Sequence, residues 1–320
     1  MSTPIILDCD PGIDDALAIA FAHGHPSIDL LGITTVAGNV GLAQTTANAL
    51  AVREFIGAVG TPVTAGCAGP LLRPARDARQ VHGAGGLGGA TLPPPTAFPA
   101  AGHAVDYIID TVGTARGGIT LVATGPLTNI ALAVRREPRL AEWVRELVIM
   151  GGSAGRGNTT PAAEYNMWAD PEAAAVVFGA GWTVVMLGLD VTLRTGAGPA
   201  VLDRMGELGP LGTGLLLPAL ERYRSVHEPG GPAVHDVCAV AWVAAPKLFS
   251  LVPARVQVET VGRLTSGMTV TDFQATGEPG GGNALVAMDI DVDGFWELTL
   301  ATYRRVAQGM PRTRAKPGDS

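Results

Sequence analysis

At 320 residues, 47% hydrophobic and 16% charged, the chain is long enough to bury a large core, as one sizeable α/β domain or two smaller ones. A formal net charge of −7 with no basic block argues against a nucleic-acid polymer as partner, because phosphate backbones call for clustered Lys and Arg. Three cysteines (Cys9, Cys67, Cys238) without C-x-x-C spacing point to a reducing compartment, with neither disulfides nor a thiolate-bound metal. The N-terminus runs straight into an apolar strand without the marks of a signal peptide. No uncharged apolar run is long enough to cross a membrane, so a cytoplasmic protein without membrane contact is expected.

In chain order, residues 4–9 read as a buried strand and 13–23 as a helix. Residues 28–36 form a second buried strand, 41–57 a helix, and Pro62-Val63-Thr64 a short strand. The stretch from Arg73 to Pro99 is rich in Gly and Pro and shows no periodicity, the mark of a lid or binding loop. A helix over 103–114 and a strand over 119–123 follow, then another helix and strands at 147–150 and 183–187. Apolar strands separated by helices indicate a parallel sheet covered on both faces. The span 198–246 reads as largely helical, interrupted at Glu228–Pro232. Residues 255–292 alternate like antiparallel strands, with 271–273 and 287–289 as partners, before a last helix at about 294–308. The expected fold is a Rossmann-like open, mainly parallel α/β sheet flanked by helices, with a small antiparallel addition near the C-terminus. One domain is expected over 1–310, with a polar, frayed tail at 311–320.

The first strand ends in Asp8, Asp10, Asp14 and Asp15, four carboxylates within eight residues around a Pro-Gly turn. Such crowding costs stability unless a cation offsets it, and carboxylates favour hard ions such as Ca²⁺ or Mg²⁺. One helix terminus needs one or two acidic residues, not four. Asn39, Thr124, Gly151-Gly152 and Asp190 also fall at strand ends, and in a parallel sheet those ends share one edge. Taken singly, Asn39 or Thr124 equally suits a helix cap. Val234-His235-Asp236 opens an apolar helix, where Asp236 is either an N-cap or part of a metal shell. Asn158, Glu164 and Asn166 sit in a polar stretch suited either to solvent or to hydrogen bonds with hydroxyls.

In order along the chain, DCDPGIDDALAIAFAH (8–23), ITTVAGN (33–39), VATGPLTNIALA (122–133), VIMGG (148–152), AEYNMWADPEAA (163–174), GLDVT (188–192) and AVHDVCAVAW (233–242) resemble the inosine-uridine preferring nucleoside hydrolase family. LTSGMTVTDF (264–273) and DGFW (293–296) fit it as well. The resemblance implies Ca²⁺-dependent cleavage of the N-glycosidic bond of ribonucleosides by a homodimer or homotetramer. It implies Asp10, Asp15, the Thr124 carbonyl and Asp236 as ligands, with Asp10 as base and His235 as acid. Asp14, Asn39, Met150, Asn158, Glu164 and Asn166 would surround the ribose, with Asp8 bracing the loop. His82, Tyr223 and His227 would lie on the base side. His227 stands where relatives often carry Tyr, which leaves the leaving-group relay open between His227 and His235. His82 at the lid position, with no Trp between Trp182 and Trp242, favours uridine, cytidine or inosine over adenosine.

Two rivals share the opening motif. A haloacid-dehalogenase-like phosphatase would use Asp8 as nucleophile and needs a lysine in its site, but the lysines are Lys247 and Lys316 only. A non-catalytic nucleoside-binding protein would keep the ligands without turnover.

Overall fold

A computed structural model describes residues 2–223, 231–275 and 282–310. His227, Glu228 and the tail at 311–320 lie outside the described residues.

The chain begins β1 (Thr3–Cys9), α1 (Ile13–Gly24), β2 (Ile28–Thr35), α2 (Leu42–Phe55) and β3 (Val63–Ala65). It continues with α3 (Arg79–His82), α4 (Ala104–Thr114), β4 (Thr120–Ala123), α5 (Thr128–Arg136), α6 (Leu140–Trp143) and β5 (Glu146–Met150). Next come α7 (Tyr165–Ala169), α8 (Pro171–Phe178), β6 (Val184–Leu187), α9 (Leu189–Thr192), α10 (Pro199–Gly206), α11 (Leu217–Tyr223) and α12 (His235–Ala244). The last elements are β7 (Phe249–Val258), β8 (Thr269–Asp272), β9 (Ala284–Ile290) and α13 (Val292–Gly309).

Among the described residues, nine strands form one sheet in the order β3-β2-β1-β4-β5-β6-β9-β7-β8. Only β7 runs against the others: it pairs antiparallel with both β9 and β8, while β9 pairs parallel with β6. The mainly parallel fold class read from the sequence is therefore correct. The expected pairing of 271–273 with 287–289 is not: β8 and β9 flank β7 and never meet. The sequence pattern failed there because β7 starts at Phe249, well before its alternation becomes visible.

Alternation along each strand divides the core between the two faces. Ile5, Leu7 and Cys9 of β1 pack with α1 and α12, while Ile6 packs towards α4 and α5. Helix α1 is buried almost all round, from Ile13 to Ala22, because α2, α12 and α13 all pack on it. An all-round apolar helix is what such a central position requires.

The chain leaves β1 towards β2 and β3 on one side and returns to β4, β5 and β6 on the other. The crevice between the C-terminal ends of β1 and β4 is thus the switch point at which open α/β sheets place their sites. Asp10 and Thr124 are the residues just past those two ends.

Candidate active site

Behind that crevice opens a cavity of about 430 Å³. Its walls include Asp14, Asn39, His82, Thr124, Met150, Asn158, Glu164, Asn166, Tyr223, His235 and Asp236. Residues from eight separate stretches of chain meet there, all expected from the sequence to form one site.

The acidic floor comes from two helix starts. Asp14 and Asp15 occupy the first turn of α1, and Asp236 the first turn of α12, where the helix dipoles favour negative charge. Carboxylate oxygens of Asp14, Asp15 and Asp236 lie within 4.8 Å of one another. Asp14, expected beside the ribose, lies in this convergence, and Asp10, expected among the ligands, adjoins it through Asp15. Asp10 is joined to Asp15 through its own backbone N–H, at 3.3 Å. Its Oδ2 accepts from the Asn39 N–H at 2.7 Å, while Oδ1 is buried without a hydrogen-bond partner. A Cβ on Gly38 would stand 2.0 Å from Asp10 Oδ2, so only glycine lets the carboxylate lie there.

Asn39 does not cap a helix; α2 starts later, with Gly41 at its N-cap. The Asn39 amide donates to Asp15 at 3.1 Å and to the Asp10 carbonyl at 3.2 Å. The Thr124 hydroxyl donates to Asp15 Oδ1 at 2.9 Å. Burial, the largest cause, followed by the Asp14 charge, raises Asp15 to about 7. Asp10 and Asp236 are raised well above the usual carboxylate range, again by burial first and neighbouring carboxylates next. Such a group of buried acids is stable in ionised form only with a positive partner. Hard oxygen donors and an orphaned carboxylate oxygen fit a divalent cation such as Ca²⁺ or Mg²⁺.

The opposite wall is built on α7. Glu164 is the N-cap of that helix and accepts from the N–H groups of Asn166 (2.9 Å), Met167 (3.2 Å) and Gly152 (2.9 Å). Asn166 gives its amide hydrogens to the Thr124 carbonyl at 2.7 Å and the Met150 carbonyl at 3.1 Å. Its amide oxygen therefore remains to accept from a hydroxyl. Asn158 accepts from the Tyr165 N–H at 3.0 Å, which fixes its side chain on the rim.

On the third wall, the Tyr223 hydroxyl donates to Asp14 at 2.9 Å. The Nδ1 of His82 accepts from the Ile13 N–H at 3.1 Å, satisfying one of the open donors at the start of α1. Burial lowers the His82 imidazole to about 4, so it stays neutral and its Nε2 carries the hydrogen. The Nδ1 of His235 is 2.8 Å from the Thr192 hydroxyl of α9.

Asp8 and Asp190 do not join the cavity wall. Asp8 is 1% exposed and accepts from Thr34 at 2.5 Å and Asn129 at 2.8 Å, bracing the ends of β1 and β2. Held there it cannot act as a nucleophile, and Lys247 lies in a 3-10 turn away from the cavity; both facts oppose the phosphatase. Asp190 accepts from the Ala154 N–H at 2.8 Å and shapes the loop after β5. Sequence reasoning missed Asp77, Gln80, Arg156, Tyr165 and Trp168, which also line the cavity. Gln80 belongs to α3, whose four residues are too few to show a helical period inside the long loop.

The edge of an open α/β sheet thus sets a buried acidic floor opposite the Glu164 carboxylate and the Asn166 amide. The family model for inosine-uridine preferring nucleoside hydrolases matches residues 5–297. The chain belongs to that family. It is 46% identical over 311 residues to the inosine-uridine preferring nucleoside hydrolase of Leishmania major, covering 96% of this chain and 99% of the relative. It is 50% identical over 297 residues to the non-specific ribonucleoside hydrolase RihC of Klebsiella pneumoniae (strain 342), covering 92% and 96%. The solved purine-preferring ribonucleoside hydrolase from Gardnerella vaginalis superposes with a TM-score of 0.90 at 32% identity, over 96% of this chain and 99% of that one.

Proposed function

We propose that the enzyme hydrolyses the N-glycosidic bond of ribonucleosides with the help of one Ca²⁺, giving ribose and a free base. The observation that carries this is one cavity lined by Asp14, Asp236, Glu164 and Asn166, with an Asp15 carboxylate oxygen within 4.8 Å of those of Asp14 and Asp236. Asp10, Asp15, the Thr124 carbonyl and Asp236 are the proposed ligands. A cation held there would bind a water and the ribose diol and make that water more acidic.

The protein's own groups do the rest. Asp14, Asn39, Met150, Asn158, Glu164 and Asn166 hold the ribose. Asp10 takes the proton from the attacking water as oxygen bonds to C1′. The C–N bond breaks, its electron pair leaves with the base, and His235 protonates that base. Positive charge gathers on the ribose in between, and the surrounding carboxylates stabilise it. His82 and Tyr223, with His227 beyond the described residues, form the base side. Neutral His82 without a tryptophan sandwich supports uridine, cytidine and inosine over adenosine.

The remaining assignments are of the same kind. Buried free thiols at Cys9, Cys67 and Cys238 support a cytoplasmic home. Exposed Leu72, Val261 and Leu264 support a homodimer or homotetramer, to be read by light scattering. One continuous sheet supports a single domain over 1–310.

The test is turnover of uridine, cytidine, inosine, adenosine and guanosine, with chelator and after Ca²⁺ is restored. Release of base that stops with chelator and returns with Ca²⁺ is expected. Binding of ribosides without base release would mean a non-catalytic binding protein. Asp10→Ala is expected to abolish turnover; full activity would remove Asp10 from the centre.

A further inference from the structure

Helix α11 carries two adjacent residues with different destinations. Tyr223 is buried and bonds Asp14 inside the cavity. Arg222 is exposed and is not on the cavity wall. Its guanidinium donates to two successive carbonyls of the opposite segment, Val81 at 2.7 Å and Gln80 at 2.9 Å. These are the residues just before His82 in α3, so the contact satisfies carbonyl groups at a helix end. Arginine suits the task because its planar fork serves two acceptors at once.

Beyond α3 the chain turns at Gly83 (φ 83°) and stays against α11, where the Gly89 N–H donates to the Pro218 carbonyl at 3.0 Å. His82 itself reaches across to the Ile13 N–H and lies edge-on to the Tyr223 ring, with centroids 5.6 Å apart. A Cβ on Gly12 would lie 2.5 Å from His82 Nδ1, so the ring is seated closely against the α1 start.

We propose that Arg222 is a positioning residue that fastens α3 to α11 and so holds His82 as a hydrogen-bond donor towards the base. It rests on the nucleoside reading of the cavity. Grip on the base then depends on a side chain outside the cavity, whereas the sugar half of the site does not. Loss of Arg222 weakens substrates whose base has carbonyl or ring-nitrogen acceptors. 4-Nitrophenyl riboside, whose leaving group departs unprotonated, reports on the sugar half alone.

Arg222→Met keeps the unbranched stem and removes every donor. The expected result is a KM for uridine and inosine raised about ten-fold, the size of one lost hydrogen bond, with 4-nitrophenyl riboside changed less than about two-fold. Hydrogen–deuterium exchange over residues 79–90 is expected to speed up in the same variant. Arg222→Lys, with one compact charge, is expected to restore part of the loss. Adding Arg222→Met to His82→Ala is expected to cause no further loss on nucleosides. Equal losses on both substrate types, unchanged exchange, or additive losses in the double variant overturn the proposal. Where Arg222→Met does not fold, Arg222→Lys carries the same comparison. Wild-type enzyme that turns over no nucleoside would sink the nucleoside reading; the exchange result then decides the fastening by itself.

Discussion

At the residue scale, the site is held by side chains that hydrogen-bond backbone far away in sequence. His82 is the clearest case, because it accepts from Ile13 across 69 residues. Its ordinary value near 6.5 falls to about 4, with burial as the main cause. The unfolded chain thus binds the proton more readily than the fold. Stability from neutral His82 is fully present above about 6.5 and is lost as pH falls through about 4. Ring NMR is expected to show no protonation of His82 between pH 6 and 8, and His82→Gln to flatten the acid limb of stability. Gly38 makes a second residue-level case. Gly38→Ala is expected to displace Asp10 and lower kcat at least ten-fold, with circular dichroism unchanged. Wild-type turnover in that variant would mean that the Asp10 carboxylate has room to shift. Both carboxylate crowding and the Pro-Gly turn were legible in the sequence. The partners of Asp8, Thr34 and Asn129, were not, since nothing local links residues 26 and 121 apart.

At the scale of elements, strands and long helices were readable because their periods repeat often enough to show. Helices α3, α7 and α9 were hidden, being only 4 or 5 residues long. Each nevertheless carries a site group: His82 on α3, Asn166 on α7 and Thr192 on α9. Of these three, α7 alone starts on a side-chain cap, Glu164; α8 and α13 carry caps as well, and theirs are testable. Asp291 caps α13 by accepting from the Gly294 N–H at 3.0 Å, and Asp291→Ala is expected to cost about 1 kcal/mol in urea unfolding. Asp170 caps α8 and also accepts from Leu71 N–H at 2.9 Å and Thr128 at 2.7 Å. Asp170→Ala leaves buried donors unsatisfied, so about 2–4 kcal/mol is expected. Equal costs for the two variants would show that the extra bonds contribute nothing.

At the scale of the whole molecule, the fold gathers buried carboxylates that a cation would stabilise. Asp8 and Asp15 are both raised to about 7, chiefly by burial. A raised carboxyl group means that the fold holds its proton more tightly than the unfolded chain. That stability is fully present below about 3.8 and is lost as pH rises through about 7. Metal-free protein is therefore expected to melt lower at pH 8 than at pH 5. Ca²⁺ at about a hundred times its Kd is expected to return roughly 2.7 kcal/mol at the higher pH. Melting curves with and without chelator read this directly; a Ca²⁺ response equal at both pH values would contradict the linkage.

The sequence by itself determined the class of fold, the acidic cluster and the ordered motifs of a nucleoside hydrolase. Those depend on local period and on residue chemistry, which survive in one dimension. Only the tertiary structure decided that Asp14 meets Asp15 and Asp236, that Asp10 is bonded to Asp15 and Asn39, and that β7 separates β8 from β9. It also decided that Arg222 grips the backbone beside His82. Each of these rests on contacts between distant segments, whose directions are set only when the sheet and its helices pack together.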